Sequence, residues 1–243
     1  HVRSRRQRQM CIRDSGRAAL DALAARGAKV IGHGSRAVMI GTDEVPIIAA
    51  DFGDPQAAQG LWELALDVAG GAIDAVVNNA GRFEANRLDR SDIEWLDAWE
   101  DTLRVNLTAA AQLSRFAVQH WQARGVPGRL VHVASRAAYR GDSPAHWHYA
   151  AAKSGMIGMH KTIARAYAKD GILSFAVTPG FTLTGMADDY LASRGGPGLL
   201  ADIPLGRVAT PQEIAAIITF CALDAPPSMT GAVIDANGAS FVR

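Results

Sequence analysis

The sequence predicts an α/β protein in which helices cover both faces of a doubly wound parallel sheet. Short β-branched runs alternate with longer alanine-rich stretches along the 243 residues, and several of the runs end in Gly, Asn or Ser. Such alternation is typical of parallel sheets, because each crossover between parallel strands needs a helix-length connection. No internal repeat or low-complexity linker divides the chain. We therefore expect one domain over residues 16–243.

Six segments are predicted to be strands, because β-branched and other apolar residues are concentrated in them. They are residues 28–34, 45–51, 73–81, 129–135, 172–180 and 231–238. Five alanine-rich segments between them are predicted to be helices, at residues 16–26, 55–70, 98–124, 147–169 and 211–224. The last of these begins with Pro211 after Thr210, a favourable start because Thr caps a helix and Pro suits its first turn.

Composition and charge restrict the classes of function. The chain is 49% hydrophobic and 20% charged, with a net charge of +1, so no strong field attracts nucleic acid or an anionic membrane. No apolar stretch approaches the roughly 18 residues of a transmembrane helix. Only Cys11 and Cys221 are present, without a Cys/His cluster, so we expect no disulfide framework and no metal site. These features together predict a cytoplasmic protein with neither a nucleic-acid nor a membrane partner.

Tyr149 and Lys153 are the clearest candidates for catalysis. They stand four residues apart in the predicted helix 147–169, so their side chains share one helix face. A free tyrosine has a pKa near about 10, and a cation one turn away lowers that pKa by favouring the phenolate. The pair therefore predicts a general acid/base, although the same spacing also occurs by chance.

Ser135 and Asn106 are polar residues at positions that need an explanation. Ser135 ends the predicted strand 129–135, fourteen residues before Tyr149, where its hydroxyl could bind a carbonyl oxygen. Asn106 lies inside the predicted helix 98–124, and asparagine is unfavourable there unless its side chain has a partner. A side chain bonded to its own backbone is the alternative for Asn106. Doubly wound sheets bind ligands at the edge where their strands end.

Six motifs together resemble the short-chain dehydrogenase/reductase family over roughly residues 16 to 243. In order, they are NNAG (78–81), Asn106, Ser135, Tyr149-x-x-x-Lys153, PGFTLT (179–184) and TGAVIDANG (230–238). The segment PLGRVATPQEIAAIITF (204–220) is also similar to the C-terminal part of that family. The interval from Ser135 to Tyr149 is one residue longer than is usual in the family, which the loop GDSPAH (141–146) can absorb.

The resemblance implies a Rossmann-type sheet and NAD(P)-dependent hydride transfer between a carbonyl and a secondary alcohol. It implies that Tyr149 is the general acid/base, that Ser135 orients the substrate oxygen, and that Lys153 assists Tyr149 and binds the nicotinamide ribose. Asn106 would hold a water that relays protons to Lys153. The implied substrate is a small carbonyl or alcohol compound, with 3-oxoacyl-carrier-protein reduction as one subtype. A homotetramer or homodimer would form through the helices 98–124 and 147–169.

The resemblance also implies a set of cofactor contacts. Asp51 would cap the adenine amino group with Phe52 beside it, although an acid in a strand-end turn would look the same. Asn78, Ala80 and Gly81 would line the adenosine ribose and the pyrophosphate. The remaining implied contacts are Gly16 at the glycine loop, Tyr149 and Lys153 at the ribose, and Pro179, Gly180, Thr182 and Thr184 at the nicotinamide carboxamide.

The end of the predicted strand 28–34 bears on the choice between NAD and NADP. An acid at this position binds the ribose 2′-hydroxyl of NAD and repels a 2′-phosphate. The segment GHGSR (32–36) has no acid and places Arg36 nearby. We therefore expect NADP(H) in preference to NAD(H), with a solvated loop arginine as the alternative interpretation of Arg36.

Two further segments adjoin the candidate site. His146 and His148 flank Trp147, and without additional ligands we expect them to line the substrate pocket or the surface rather than bind a metal. Residues 184–206 stand where the family has a flexible substrate lid, and SRGGPG (193–198) within it favours mobility. Apolar residues in this segment indicate a partly hydrophobic substrate; they are Met186, Tyr190, Leu191, Leu199 and Leu200.

Two other functions remain open at this point. The chain could bind a cofactor without turnover, as a scaffold or sensor, although the full set of candidate catalytic residues argues against that. An epimerase or dehydratase acting on nucleotide sugars would share the Tyr-x-x-x-Lys motif. Such relatives usually carry a larger C-terminal substrate domain, for which 243 residues leave no room.

The N-terminal tract departs from the family. The family has a strand and Thr-Gly-x-x-x-Gly-x-Gly directly before RAAL (17–20), but alignment on Gly16 puts Asp14 and Met10 at the earlier glycines. The strand would be RSRRQR (3–8), whose arginines cannot be buried in a central strand without partners. We therefore expect residues 1–15 to be foreign to the fold, two strands to lack their shared neighbour, and the chain as written to bind cofactor weakly or be inactive.

Overall fold

Helices and strands alternate along the chain in the predicted order. The computed structural model describes residues 13–35, 45–183 and 196–243. The helices are α1 (Arg13–Ala25), α2 (Ala57–Val68), α3 (Asp92–Leu103), α4 (Ala109–Arg124), α5 (Ala137–Arg140), α6 (Trp147–Tyr167), α7 (Gly196–Ala201) and α8 (Pro211–Thr219). The strands are β1 (Gly32–Gly34), β2 (Ile47–Ala49), β3 (Ala75–Asn78), β4 (Gly128–Val133), β5 (Ile172–Pro179) and β6 (Val233–Ala236). π-Helical turns occupy Arg104–Thr108 and Phe220–Asp224, and 3₁₀ turns occupy Ala168–Asp170 and Pro227–Met229.

The strands form two parallel sheets among the described residues. Strands β3, β4, β5 and β6 are neighbours in that order, while β1 pairs only with β2. Asn78 lies beside His132, and His132 lies beside Ala176, so β3, β4 and β5 end at one edge. Within the described ranges no ladder joins β1 to β3. The expected foreign character of the N-terminal tract stays a prediction, since residues 1–12 are outside those ranges.

Helices cover both faces of the four-stranded sheet, as the doubly wound fold requires. Side chains alternate along β4: Val131 and Val133 contact the cluster that includes α1 and α8, whereas Leu130 contacts α4 and α6. This alternation follows from the two-residue period of a strand. The core therefore consists of two apolar layers, one on each side of the sheet.

Helix α1 begins at Arg13, three residues before its predicted start. Gly16 consequently lies within the helix, and a Cβ atom there would stand 3.0 Å from the Asn79 side-chain nitrogen. The small residue allows α1 to approach the end of β3. Residues 13–15 of the N-terminal tract therefore form the first turn of α1.

Helix α3 begins at Asp92, six residues before the predicted helix 98–124. Ser91 accepts a hydrogen bond from the Glu94 amide, and the Glu94 carboxylate accepts from the Ser91 amide, which completes a capping box. The sequence signal for this start is Ser-x-x-Glu (91–94), which lies upstream of the alanine-rich residues that defined the predicted helix.

The predicted strands are longer than the observed ones. Strand β1 retains three residues of the predicted segment 28–34, and β3 retains four of 73–81. The residues that follow β3, β4 and β5 leave the ladder and form the loops of the candidate site. No described helix is both long enough and apolar enough to cross a membrane.

Candidate active site

Helix α6 carries Tyr149 and Lys153 on one face, beside the end of β4. The Lys153 side chain is 4% exposed, and its Nζ donates a hydrogen bond to the Val133 carbonyl oxygen at 2.8 Å. The same Nζ lies 5.8 Å from the centroid of the Tyr149 ring. Burial lowers the pKa of Lys153 to about 8, because a charged amine is less stable away from water.

Asn106 lies in the π-helical turn that interrupts the long helix between α3 and α4. Its Oδ1 accepts a hydrogen bond from the Arg82 amide at 2.6 Å, and its Nδ2 donates to the Arg82 carbonyl oxygen at 2.8 Å. This is the partner that an interior asparagine requires, although it lies on another segment and not in the residue's own helix. Asn106 therefore fixes the loop that follows β3. π-Helical turns of this kind are frequent at functional sites.

Gly81 separates Asn106 from Lys153. A Cβ atom at position 81 would stand 3.3 Å from Asn106 Oδ1 and 3.6 Å from Lys153 Nζ. The glycine thus leaves a space beside a buried cation that a side chain would fill. A ribose hydroxyl needs both a donor and such a space, so this end of the site fits a nicotinamide cofactor.

Ser135 follows β4 by two residues and is half-buried. Its Oγ accepts a hydrogen bond from the Ala137 amide at 3.1 Å, at the first residue of α5. The contact holds the side chain at the strand end while the hydroxyl proton stays available to a substrate oxygen.

Phe83 and His146 form an aromatic wall beside Tyr149, and sequence reasoning missed Phe83. The rings of Phe83 and Tyr149 pack edge to face, with their centroids 4.8 Å apart. Phe83 also stacks on His146 at 4.0 Å, and His146 Nδ1 lies 2.6 Å from Ser143 Oγ. The only sequence signal for Phe83 was its place two residues after the NNAG motif.

His146 stacks on Phe83 beside Tyr149, whereas His148 is part of the interior. The His148 side chain is buried and stacks on Trp99 at 6.5 Å. Burial lowers the pKa of His148, so the ring is neutral at pH 7. No group of three or more metal-ligating side chains occurs in the described part of the chain.

Two residues expected to contact the cofactor, Asn78 and Phe52, are buried. Asn78 Nδ2 donates hydrogen bonds to Ser114 Oγ at 3.0 Å and to His132 Nδ1 at 3.2 Å, so the donors of this side chain are used in the interior. Phe52 is buried with Ala58 and Leu61. The alternation of strand side chains explains the inward direction of Asn78, the last residue of β3, whereas Phe52 lies in the turn that follows β2.

The other expected contacts lie at the strand edge or outside the described ranges. Asp51 is exposed, and its Oδ1 accepts from the Gly53 amide at 3.0 Å, which is the turn interaction weighed as the alternative. Ala80 follows Asn79 in the loop after β3. Arg36, Thr184 and most of the lid segment 184–206 lie outside the described residues.

The loop after β5 packs closely on the C-terminal tail. The Gly180 amide donates to the Ala236 carbonyl oxygen, and a Cβ atom at position 180 would stand 2.9 Å from Asn237. Thr182 forms an isolated parallel bridge with Ala209. Pro179 accepts a hydrogen bond from the Arg136 amide at 2.9 Å, which joins this loop to the segment after Ser135.

Comparison with known proteins agrees with this architecture. The family described as "Enoyl-(Acyl carrier protein) reductase" matches residues 15–238. The 3-oxoacyl-[acyl-carrier-protein] reductase FabG of Escherichia coli is 34% identical over 241 residues, which cover 95% of this chain and 94% of that protein. The FabG protein of Vibrio cholerae is also 34% identical, over 237 residues with the same coverage.

A solved structure has the same fold. It is a protein from Agrobacterium tumefaciens assigned as a 2-deoxy-D-gluconate 3-dehydrogenase, with bound NADP, and it superposes with a TM-score of 0.83 at 28% identity. The match covers 95% of this chain and 93% of that chain. The chain therefore belongs to the short-chain dehydrogenase/reductase family of NAD(P)-dependent oxidoreductases.

Proposed function

We propose that this protein reduces a small carbonyl compound with NADP(H), using Tyr149 as the general acid. The observation that carries the proposal is the buried Lys153 ammonium group, which is fixed by Val133 and faces the Tyr149 ring. A tyrosine without such a cation exchanges protons poorly near neutral pH. In the reverse direction, Tyr149 would accept the proton of a secondary alcohol.

Ser135 orients the substrate oxygen in this proposal. The Ala137 amide occupies one lone pair of Ser135 Oγ, so the hydroxyl proton is directed away from α5. The hydroxyl then donates to the carbonyl oxygen that Tyr149 protonates, and it stabilises the negative charge that develops there. The Phe83 and His146 rings exclude water from one side of Tyr149.

Asn106 acts through the loop after β3. Its two hydrogen bonds to Arg82 place Gly81 beside Lys153, and this holds open the space for the nicotinamide ribose. The expected proton-relay water would lie near this π-helical turn. Lys153 would bind the ribose hydroxyls with the donors that the Val133 carbonyl oxygen leaves free.

NADP(H) supplies the hydride when it is bound. The relatives' names and the NADP in the Agrobacterium structure support this choice, as does the absence of an acid in GHGSR (32–36). Asp51 and the backbone of Ala80 and Gly81 would contact the adenosine half. The names of these relatives refer to an acyl thioester and to a sugar acid, so both are candidate substrate classes.

The proposal includes a homodimer or homotetramer. Large apolar side chains are exposed at the start of α3 and of α6: Ile93 is 73% exposed and Trp147 53% exposed. Trp147 begins the segment 147–169, for which the sequence predicted contact with another subunit, whereas Ile93 lies upstream of the other such segment, 98–124. A cytoplasmic location also belongs to the proposal, and Cys221, a buried free thiol, fits a reducing compartment.

The proposal also keeps residues 1–15 as a tract foreign to the fold. The open edges of β1 and β3 support it, since the described residues supply no strand between the two sheets. A chain without the amide-lined glycine loop would hold the pyrophosphate weakly. Inactivity of the chain as written, or cofactor binding without turnover, is therefore the alternative function.

Turnover of purified protein with NADPH and a panel of small ketones and 3-oxoacyl thioesters tests the proposal. We expect measurable NADPH oxidation that Tyr149→Phe reduces by about 100-fold or more. Tyr167→Phe, at the far end of the same helix, is the matched control and should retain activity. Turnover that survives Tyr149→Phe would refute the mechanism, and NADPH binding without turnover would favour the non-catalytic alternative.

A further inference from the structure

Arg136 is a buried cation directly after Ser135. Its side chain is 10% exposed, and its guanidinium carbon lies 4.8 Å from the centre of the Phe181 ring. The Arg136 amide is bonded to Pro179, so the residue is fixed between the end of β4 and the loop after β5. A buried arginine destabilises the folded state through the loss of hydration, unless an anion accepts hydrogen bonds from its guanidinium group.

The charge of Arg136 is only partly compensated. Its Nη1 has no hydrogen-bond partner, and the Oδ2 atom of Asp202 stands 3.7 Å away, beyond hydrogen-bond length. That same Oδ2 accepts a hydrogen bond from Arg140 at 2.7 Å. Two guanidinium groups therefore share one carboxylate, and the shorter bond goes to Arg140. Burial, and then the neighbouring Arg140, lower the pKa of Arg136.

A second buried donor lies on the same helix face. Tyr139 stands three residues after Arg136, an interval that places side chains on one side of a helix. Its hydroxyl is buried and has no hydrogen-bond partner. One donor of the Arg136 cation and the hydroxyl of Tyr139, three residues further along the chain, are thus both buried and unsatisfied, which indicates that an acceptor bearing negative charge is missing beside Arg136.

We propose that Arg136 is a specificity residue that binds a carboxylate group of the substrate, in competition with Asp202. The inference rests on the proposed carbonyl reduction, because it takes the substrate to lie beside Ser135. A carboxylate accepts the Arg136 donor that Asp202 leaves free, and the Tyr139 hydroxyl can complete its coordination. The preferred substrate is thus an oxo or hydroxy acid, and the corresponding neutral ester binds less well.

Calorimetric binding of 3-hydroxybutanoate and of its methyl ester to the full-length protein tests this site without requiring turnover. We expect the acid to bind about tenfold more tightly than the ester. Arg136→Leu should abolish that preference, and Arg136→Lys should retain part of it, since lysine keeps the charge but loses the planar fork. Arg87→Leu removes an exposed arginine elsewhere and is the control for net charge.

Asp202→Asn separates a substrate site from a merely structural ion pair. If the carboxylate of Asp202 competes with the substrate, its removal should tighten acid binding and leave ester binding unchanged. Equal binding of acid and ester by the unmodified protein, no binding of either, or looser acid binding in Asp202→Asn would overturn the inference. NADPH oxidation with methyl 3-oxobutanoate is measured separately: its absence counts against the proposed reduction, whereas the acid preference alone decides the role of Arg136.

Discussion

Lys153 Nζ lies 5.8 Å from the centre of the Tyr149 ring and is held there by the Val133 carbonyl oxygen. The cation is therefore fixed by the strand end and not by the tyrosine it faces. Its distance from the ring is set by backbone atoms of β4 and by the helical interval of four residues. A chain that keeps β4 and α6 in contact keeps this pair together.

The first prediction is a loss of activity above about pH 8. Burial disfavours the charged amine, so Lys153 loses its proton near its pKa of about 8. A neutral lysine no longer stabilises the Tyr149 phenolate, and the logarithm of kcat/KM for carbonyl reduction should fall as pH rises through that value. The profile is measured from NADPH oxidation between pH 6 and pH 10, roughly the range that spans this pKa.

Two variants of α6 test whether Lys153 causes this decrease in kcat/KM. Lys153→Arg should move the decrease to higher pH, because a guanidinium stays protonated throughout the range. Lys161→Met, at an exposed position two turns further along the helix, should leave the profile unchanged. If kcat/KM of Lys153→Arg still decreased at the same pH, another group would be responsible for the decrease.

The second prediction contrasts two glycines. A Cβ atom on Gly128 would stand 2.0 Å from the Trp121 ring, which is fully buried and bonded through Nε1 to the Ile73 carbonyl oxygen. Because the ring cannot move aside, Gly128→Ala should destabilise the protein by about 1–3 kcal/mol or more. Urea denaturation followed by tryptophan fluorescence measures the change.

Gly60→Ala is the matched substitution, and we expect it to increase the free energy of unfolding where Gly128→Ala decreases it. Gly60 lies inside α2, and nothing stands within 4 Å of a Cβ atom there. Alanine should stabilise the helix by about 0.5–1 kcal/mol, because it loses less conformational entropy on folding. If both variants shifted stability in the same direction, the packing around Gly128 would be different from that described.

The third prediction concerns acid stability. His132 is fully buried between Asn78 and His160, and burial lowers its pKa to about 3. The unfolded chain protonates this histidine near about pH 6.5. Between the two values the unfolded state binds more protons, so the free energy of unfolding should fall by up to about 1.4 kcal/mol for each unit by which pH drops below 6.5.

Unfolding free energies at several pH values measure that slope. His132→Asn keeps an acceptor for the Asn78 amide but does not titrate, so the slope should decrease by about one proton. His120→Asn, at a half-buried helix position, should change it much less. An unchanged slope in His132→Asn would assign the acid sensitivity to another group, such as His160, whose pKa burial also lowers.

Sequence reasoning located the elements but not the directions of their side chains. The spacing of Tyr149 and Lys153 was sufficient to place them on one face of α6, because the helix period is a local property. The inward turn of Asn78 could not be foreseen, since it depends on Ser114 and His132, which lie far away along the chain. The Arg82 partner of Asn106 and the Phe83 contact with Tyr149 were missed for the same reason.

The last prediction concerns the gap between the two sheets. Strand β1 pairs with β2 on one side only, and β3 pairs with β4 on one side only, among the described residues. Both β1 and β3 therefore present peptide groups that a central strand would pair. Replacing residues 1–15 with the corresponding segment of a family member that has an apolar strand and the Thr-Gly-x-x-x-Gly-x-Gly loop would supply both elements. NADPH affinity should then rise by about tenfold or more, since backbone amides at a helix N-terminus bind phosphate.

A replacement with the same residues in scrambled order is the control, because it preserves composition without the strand pattern or the glycine spacing. Affinity is measured by calorimetry, and the thermal midpoint should increase in parallel, because the added strand buries apolar surface against Val30 and Val77, which pack on the core beside α1. If the natural segment gave the same affinity and midpoint as the unmodified chain, and the scrambled form lowered both, residues 1–15 would already supply what the fold needs, and the tract would not be foreign to it.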